Sequence, residues 1–214
     1  MGLRLITGRS GSGKTKLCLE EISSKQKIGK RLIYIVPEQF SLQAERELVK
    51  ESGGIMPAVV LSFRRLAENI FSECGISGDK NLTDIGKLMI LRRIIMQNKD
   101  KFEYFGIACE RSGFTDRMAN AVTEFFSGGI TPEALKSYAE TFEEGSAVRN
   151  KLSDMALIYG EYRNFIKKDY ISSDDVLTTA AIKMSEADYI KGAEVWLDGF
   201  YGFTCQEFDI IYRL

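Results

Sequence analysis

Residues 8–15 read Gly8, Arg9, Ser10, Gly11, Ser12, Gly13, Lys14 and Thr15, which fills every fixed position of the pattern G-x-x-x-x-G-K-[ST]. Residues of these types at this spacing suit the holding of a chain of phosphates. Glycines let the backbone curl so that successive N–H groups converge on phosphate oxygens. A lysine in this place reaches the β- and γ-phosphates, and the hydroxyl that follows it is a ligand for Mg²⁺. A Gly/Ser-rich turn could match the pattern by chance, so the flanking residues decide. Residues 3–7 form a short apolar run that predicts a strand. Residues 16–28 predict a helix with Leu17, Leu19 and Ile22 as apolar positions. Such a helix would aim its partially positive N-terminus at bound phosphates.

A second signal lies far along the chain. Val195, Trp196, Leu197 and Asp198 read as an apolar strand that ends in a carboxylate. Beside a phosphate-binding loop, such an aspartate holds Mg²⁺, so Thr15 and Asp198 are the expected metal pair. An aspartate that merely opens a turn before Gly199 fits the same residues. The position after Asp198 is Gly199, where enzymes that hydrolyse ATP in the helicase manner carry a glutamate to activate water. General-base groups contribute roughly 10²–10⁴-fold to rate, so these residues predict firm Mg·ATP binding and weak hydrolysis. Glu38 and Glu207 are the nearest carboxylates by motif that could substitute, and no catalytic residue is assigned. The chain has no histidine, which removes the commonest general base and any Ser-His or Cys-His nucleophile.

The elements that must position these groups are an α/β core and a helical stretch. Residues 31–36 and 58–61 read as buried strands, the first stopped by Pro37. Residues 38–50 read as a helix, and Ser62 caps another that runs through Phe63, Leu66, Ile70 and Phe71. Strands separated by helices argue for a parallel sheet. Residues 83–98, 115–127, 132–142, 147–168 and 173–184 then read as helices with no strand-like alternation between them. Thr83 and Ser173 are expected N-caps, Pro132 sits at a first helical position after Thr131, and Gly128-Gly129 ends a helix. The expected organisation is a nucleotide-binding core over 1–80, a helical insertion over 81–190 and a return to the core over 191–214.

Bulk properties narrow the function. The 214 residues are 44% hydrophobic and 28% charged, with net charge −1. There is no global basic field to attract nucleic acid, so any contact with DNA must be local. No apolar run is long enough to span a bilayer and no signal peptide is evident, so no membrane partner and a cytoplasmic setting are expected. Cys18, Cys74, Cys109 and Cys205 are scattered without a C-x-x-C pair and read as reduced, mostly buried thiols. The chain stops at Leu214 inside an amphipathic helical pattern with no cap, as expected of a fragment of a longer protein.

Four segments together resemble one family: residues 6–15; Tyr34 through Pro37, Glu38, Gln39, Phe40 and Ser41 to Glu45; Leu61, Ser62, Phe63, Arg64, Arg65, Leu66 and Ala67; and Trp196 through Asp198, Gly199, Phe200 and Tyr201 to Thr204. The order of these segments resembles the N-terminal part of the B subunits of AddAB-type ATP-dependent helicase–nucleases. The resemblance implies a RecA-like, superfamily 1 helicase-like sheet carrying a large all-helical insertion. It also implies a heterodimer with a helicase A subunit, and double-strand DNA ends as substrate for recombinational repair. The family's nuclease domain and iron–sulfur cluster would lie beyond Leu214, so none of the four cysteines is assigned to a cluster. In helicase-like folds the loops after the second and third strands face single-stranded DNA, which makes Phe40, Ser41, Phe63, Arg64 and Arg65 candidate contacts. Aromatic rings there could stack on bases and arginines could neutralise phosphate. Phe63 also opens the apolar face of its helix, and the Arg64-Arg65 pair also fits a solvated face. The segment Asp198-Gly199-Phe200-Tyr201 departs from the Asp-Glu followed by Gln of superfamily 1 motors, which suits a protein that scans DNA rather than pulling it.

Two other functions fit the phosphate-binding octapeptide. A small-molecule kinase uses the same loop but wants an arginine-rich lid, and about a hundred residues of plain helix are more like an inserted subdomain. A non-catalytic scaffold regulated by ATP is compatible with Gly199.

Overall fold

The computed structural model describes residues 2–25, 29–76, 81–169, 171–172 and 175–214. The elements run α1 (Lys14–Lys25), β1 (Leu32–Ile35), α2 (Ser41–Glu51), β2 (Val59–Leu61), α3 (Phe63–Glu73), β3 (Asn81–Leu82), α4 (Asp84–Gln97), α5 (Phe114–Ser127), α6 (Pro132–Ala139), α7 (Ala147–Asp169), β4 (Ile171–Ser172), α8 (Val176–Lys183), β5 (Glu194–Leu197) and α9 (Cys205–Arg213). Two compact units result. One comprises Met1–Ile76, Ala180–Phe203 and Ile210–Leu214; the other comprises Ser77–Thr179 and Thr204–Asp209. The architecture is mixed α/β: a small parallel sheet with many helices.

The first unit is built on three parallel strands in the order β2-β1-β5. Tyr34 at the middle of β1 lies opposite Val60 on one side and Trp196 on the other. The central strand is buried along its whole length, as a continuous run of Leu, Ile, Tyr and Ile requires when both faces are covered. Its core joins Cys18, Leu19 and Ile22 of α1 to Leu32, Tyr34 and Val36, to Ala44 and Leu48 of α2, and to Val60 and Trp196. Burying each large apolar side chain here contributes about 1.5–3 kcal/mol. Because all three strands are parallel, their carboxyl ends emerge together, the place where open α/β sheets receive ligands.

The second unit packs α4, α5 and α7 around Leu91, Ile95, Val122, Ile158 and Tyr162, all fully buried. The expected helix starts are present. Thr83 accepts from Gly86 N–H at 3.1 Å and Thr131 from Ala134 N–H at 3.1 Å, with Pro132 opening α6. Gly129 takes φ 67°, the left-handed turn that ends α5. The expected cap at Ser173 and the helix end at 26–28 lie outside the described residues. Phe102, Phe105, Phe126, Tyr159 and Tyr162 are core, whereas Tyr104 and Phe165 are 47% and 37% exposed.

Four expectations need correction. Residues 3–7 join no ladder among the described residues. Leu3 and Leu5 are 77% and 78% exposed, while Arg4 between them is tied to Glu21 of α1; an apolar run becomes a strand only where a backbone partner meets it. The stretch 81–190 is not wholly helical either, since β3 and β4 pair in parallel, Asn81 with Ile171 and Leu82 with Ser172. Two-residue strands are too short to show alternation. Finally, the helix expected from 38 begins as a single 3₁₀ turn over Glu38–Phe40, because Pro37 holds an extended ψ of 143° and the chain must turn sharply before α2. The helix expected over 132–142 stops at Ala139.

Candidate functional site

The Gly8–Thr15 loop passes straight into α1. Gly11 and Gly13 hold φ 76° and 87°, a region L side chains rarely adopt, so glycine is required at both. Ser12 N–H donates to the Arg9 carbonyl at 3.2 Å and Leu17 N–H to the Gly13 carbonyl at 3.0 Å, which closes the loop onto the first helical turn. Lys14 folds back over it: its ammonium donates to the Gly8 and Arg9 carbonyls at 2.8 and 2.9 Å. Gly8, Arg9, Ser10, Gly11, Ser12, Gly13 and Thr15 are all exposed, and Lys14 is half-buried.

Asp198 stands at the carboxyl end of β5, where its N–H extends the ladder by donating to the Ile35 carbonyl at 3.1 Å. Its Oδ2 accepts a hydrogen bond from the hydroxyl of Tyr34 at 3.0 Å. Burial pushes the Tyr34 phenol upward, and the Asp198 charge adds to the effect. The Cys18 thiol, one turn along α1 from Thr15, is likewise pushed up to about 11, by burial first and then by the charge of Asp198. Residues three apart share a helix face, so Thr15 and Cys18 point the same way. A hydroxyl and a carboxylate are hard oxygen donors of the kind Mg²⁺ prefers, and the donor set fits that ion.

The C-terminal half of helix α1 is fastened to β5. Trp196 Nε1 donates to Glu21 at 3.2 Å, and Arg4 closes on both oxygens of Glu21 at 2.5 Å. Lys25 pairs with Glu194 and lies 5.3 Å above the Trp196 ring. The Arg4 hydrogen bond holds the Glu21 carboxyl below the usual range, and the Lys25 hydrogen bond does the same for Glu194. The helix that carries Lys14 and Thr15 and the strand that carries Asp198 are thus held together.

Gly199 has φ 80°, and a Cβ there would stand 3.3 Å from Pro37 Cδ. The position expected to carry glutamate in a motor is one where any side chain is strained. Neither proposed substitute is spare. Glu38 accepts from the Ser62 hydroxyl and lies 3.8 Å from Arg65 Nε. Glu207 closes the start of α9, accepting from Thr204 N–H at 2.8 Å while its own N–H donates to Thr204 Oγ1 at 3.2 Å.

The candidate DNA contacts separate into two kinds. Phe40 is 41% exposed, and Arg64 and Arg65 present side chains 69% and 51% exposed, Arg64 paired with Glu68 at 3.4 Å. Ser41 is buried, with its hydroxyl on the Glu38 carbonyl at 2.9 Å. Phe63 is only 4% exposed and packs 5.4 Å from Phe200 and 6.2 Å from Phe203, centroid to centroid. Its ring belongs to the apolar face of α3 and is not placed to stack on a base.

Two groups at the strand ends escape a sequence reading: the Tyr34 hydroxyl on Asp198, and Glu38 bridging the loops after β1 and β2. The first left a trace, since a tyrosine inside a buried aliphatic strand must find a partner for its hydroxyl. The second left none, because Glu38 and Ser62 are 24 residues apart and meet only through the sheet.

The family described as ADDB, N-terminal, matches residues 5–214. Proteins named as the B subunit of an ATP-dependent helicase/deoxyribonuclease are similar over the whole chain: 42% identical in Acetivibrio thermocellus, 40% in Clostridium kluyveri and 39% in Desulforudis audaxviator. The chain spans 19% of the length of each of these relatives. Among the described residues no helix is long and apolar enough to cross a membrane. A family match across nearly the entire chain, joined to identities of this size, shows that the chain belongs to the AddB N-terminal family.

Proposed function

We propose that this chain is the RecA-like, nucleotide-binding part of the B subunit in an ATP-dependent helicase–deoxyribonuclease that processes double-strand DNA ends for recombinational repair in the cytoplasm. Residues 1–80 and 191–214 form the nucleotide-binding core and residues 81–190 its insertion. Gly8 to Thr15 hold the phosphates of ATP, while Thr15 and Asp198 hold Mg²⁺. The observation that carries this is the left-handed loop at Gly11 and Gly13 leading directly into α1 at Lys14, with Asp198 at the end of a strand fastened to the same helix. Bound Mg²⁺ would neutralise phosphate charge; Lys14, already aimed over the loop, would meet the β- and γ-phosphates once they displace its carbonyl partners.

Hydrolysis is slow. No carboxylate follows Asp198, and the left-handed backbone at Gly199 disfavours one. The protein thus binds ATP as a regulatory or structural ligand and scans DNA, while a helicase A subunit supplies the motor. Phe40, Arg64 and Arg65 contact single-stranded DNA through stacking and phosphate neutralisation. The family's iron–sulfur cluster is held outside this chain.

The test is steady-state ATP turnover by the full-length protein, with and without DNA ends, beside Lys14→Ala and beside a Mg·ATP binding measurement. The expected result is binding without turnover, insensitive to DNA and strongly weakened in the variant. DNA-stimulated turnover abolished by Lys14→Ala would overturn the regulatory assignment and make this protein itself a motor.

A further inference from the structure

We infer that Tyr34 is a positioning residue for the metal carboxylate: its buried hydroxyl, delivered from the neighbouring strand, fixes the rotation of Asp198 so that the carboxylate meets Mg²⁺ in one orientation. The inference rests on the nucleotide-binding function proposed above.

Tyr34 is 1% exposed and Asp198 Oδ2 is 3.0 Å from its hydroxyl. The two residues sit on adjacent parallel strands, Tyr34 opposite Trp196 in register and Asp198 two positions further. The tyrosine side chain therefore runs along the core side of the sheet and emerges at the carboxyl end of β5. Tyr34 is buried in the same core cluster as Ile22, Leu48 and Val60, which leaves the phenol little freedom to point elsewhere. A carboxylate at the end of a strand has two soft torsions, and a hydrogen bond to one oxygen removes the freedom of the second. Groups that orient a metal ligand in this way change metal affinity by roughly 10- to 100-fold when removed.

The position has no need of a hydroxyl for packing alone. A phenylalanine would fill the same apolar surroundings and would not bring a polar group that must be satisfied inside the core. The hydroxyl at Tyr34 is explained by what it reaches.

The experiment follows a fluorescent ATP analogue on the full-length protein, first in EDTA and then during a Mg²⁺ titration, for wild type, Tyr34→Phe, Asp198→Asn and Lys14→Ala. The expected result is an unchanged affinity in EDTA for Tyr34→Phe, which also reports an intact fold. Its Mg²⁺ half-saturation should rise roughly 10- to 100-fold, and Asp198→Asn should shift it at least as far. A Mg²⁺ midpoint equal to wild type in Tyr34→Phe would overturn the inference, and so would an equal loss of affinity with and without Mg²⁺, the mark of a merely structural residue. If Lys14→Ala abolishes binding but Asp198→Asn leaves the Mg²⁺ midpoint unmoved, the inference fails while nucleotide binding stands. If wild type binds no nucleotide, both fail.

Discussion

The two units place their charged groups differently. In the helical unit, polar side chains that enter the core are locked there. Asp154, 3% exposed, accepts from the N–H groups of Glu103, Tyr104 and Phe105 at 3.2, 2.9 and 2.9 Å. Lys87, 5% exposed, donates to Thr123 at 2.6 Å. In the sheet unit charged groups crowd the strand ends and the Gly8–Thr15 loop, on residues that are exposed or half-buried: Lys14, Glu38, Arg65 and Asp198. A charged group buried with its partners serves stability, whereas charged groups left at the surface at the carboxyl ends of parallel strands can exchange their internal partners for a ligand. On the function proposed above, the helical unit serves as framework and the sheet unit as the place of binding.

Substitutions can break that contrast, and the largest effect is expected at Asp154. Asp154→Ala leaves the N–H groups of Glu103, Tyr104 and Phe105 without this acceptor, the last of them buried, and should cost on the order of 3 kcal/mol. Hydrogen exchange of the full-length protein should show the amides of residues 103–105 losing protection. The nucleotide affinity of the folded protein should remain that of wild type. Weakened affinity with intact protection would erase the division between framework and site.

A smaller loss is expected at Gly199. Gly199→Ala places a Cβ on a φ of 80°, 3.3 Å from Pro37 Cδ, and should destabilise the sheet unit by about 1–2 kcal/mol. Gly199→Glu should suffer the same strain and gain no ATP turnover. A stable, hydrolysing Gly199→Glu protein would show that only the missing carboxylate separates this protein from a motor.

The smallest effect concerns pH. Lys25 holds the Glu194 carboxyl below its ordinary value of 4.5. A depressed carboxylate contributes stability that is present above the ordinary value and is lost as pH falls through the depressed one. Acid titration followed by circular dichroism should therefore show wild type losing stability below about pH 4.5 more steeply than Glu194→Gln. Identical acid limbs would mean that the Lys25 pair does nothing to fasten α1 to β5.

The contrast also explains what could be read without a structure. The turn at Gly8–Thr15 was legible because its requirement is for backbone freedom, and Gly11 and Gly13, both at positive φ, state that requirement in residue type. Strand β1 was legible because burial on both faces leaves a continuous apolar run, and β2 and β5 carry shorter apolar runs although Val59 is exposed and β5 is largely half-buried. Residues 3–7 look the same in sequence, yet Leu3 and Leu5 are exposed, since apolar composition does not reveal whether a pairing partner exists. The β3–β4 pair is two residues long on each side and carries no periodicity. Phe63 fitted both a base-stacking loop and a core position, and only its contacts with Phe200 and Phe203, more than 130 residues away, decide for the core. Contacts made across the chain, such as Tyr34 on Asp198 and Glu38 on Ser62, have no local signature.

The most direct test of the whole account is calorimetric titration of Mg·ATP into the full-length protein and its Lys14→Ala variant. Loss of the ammonium should weaken binding about 30-fold, the equivalent of about 2 kcal/mol from a charge-assisted contact. The melting temperature without nucleotide should stay the same, because Lys14 bonds only carbonyls of its own exposed loop. Equal affinity in the two proteins would contradict the account, since phosphate would then be held somewhere other than the Gly8–Thr15 loop.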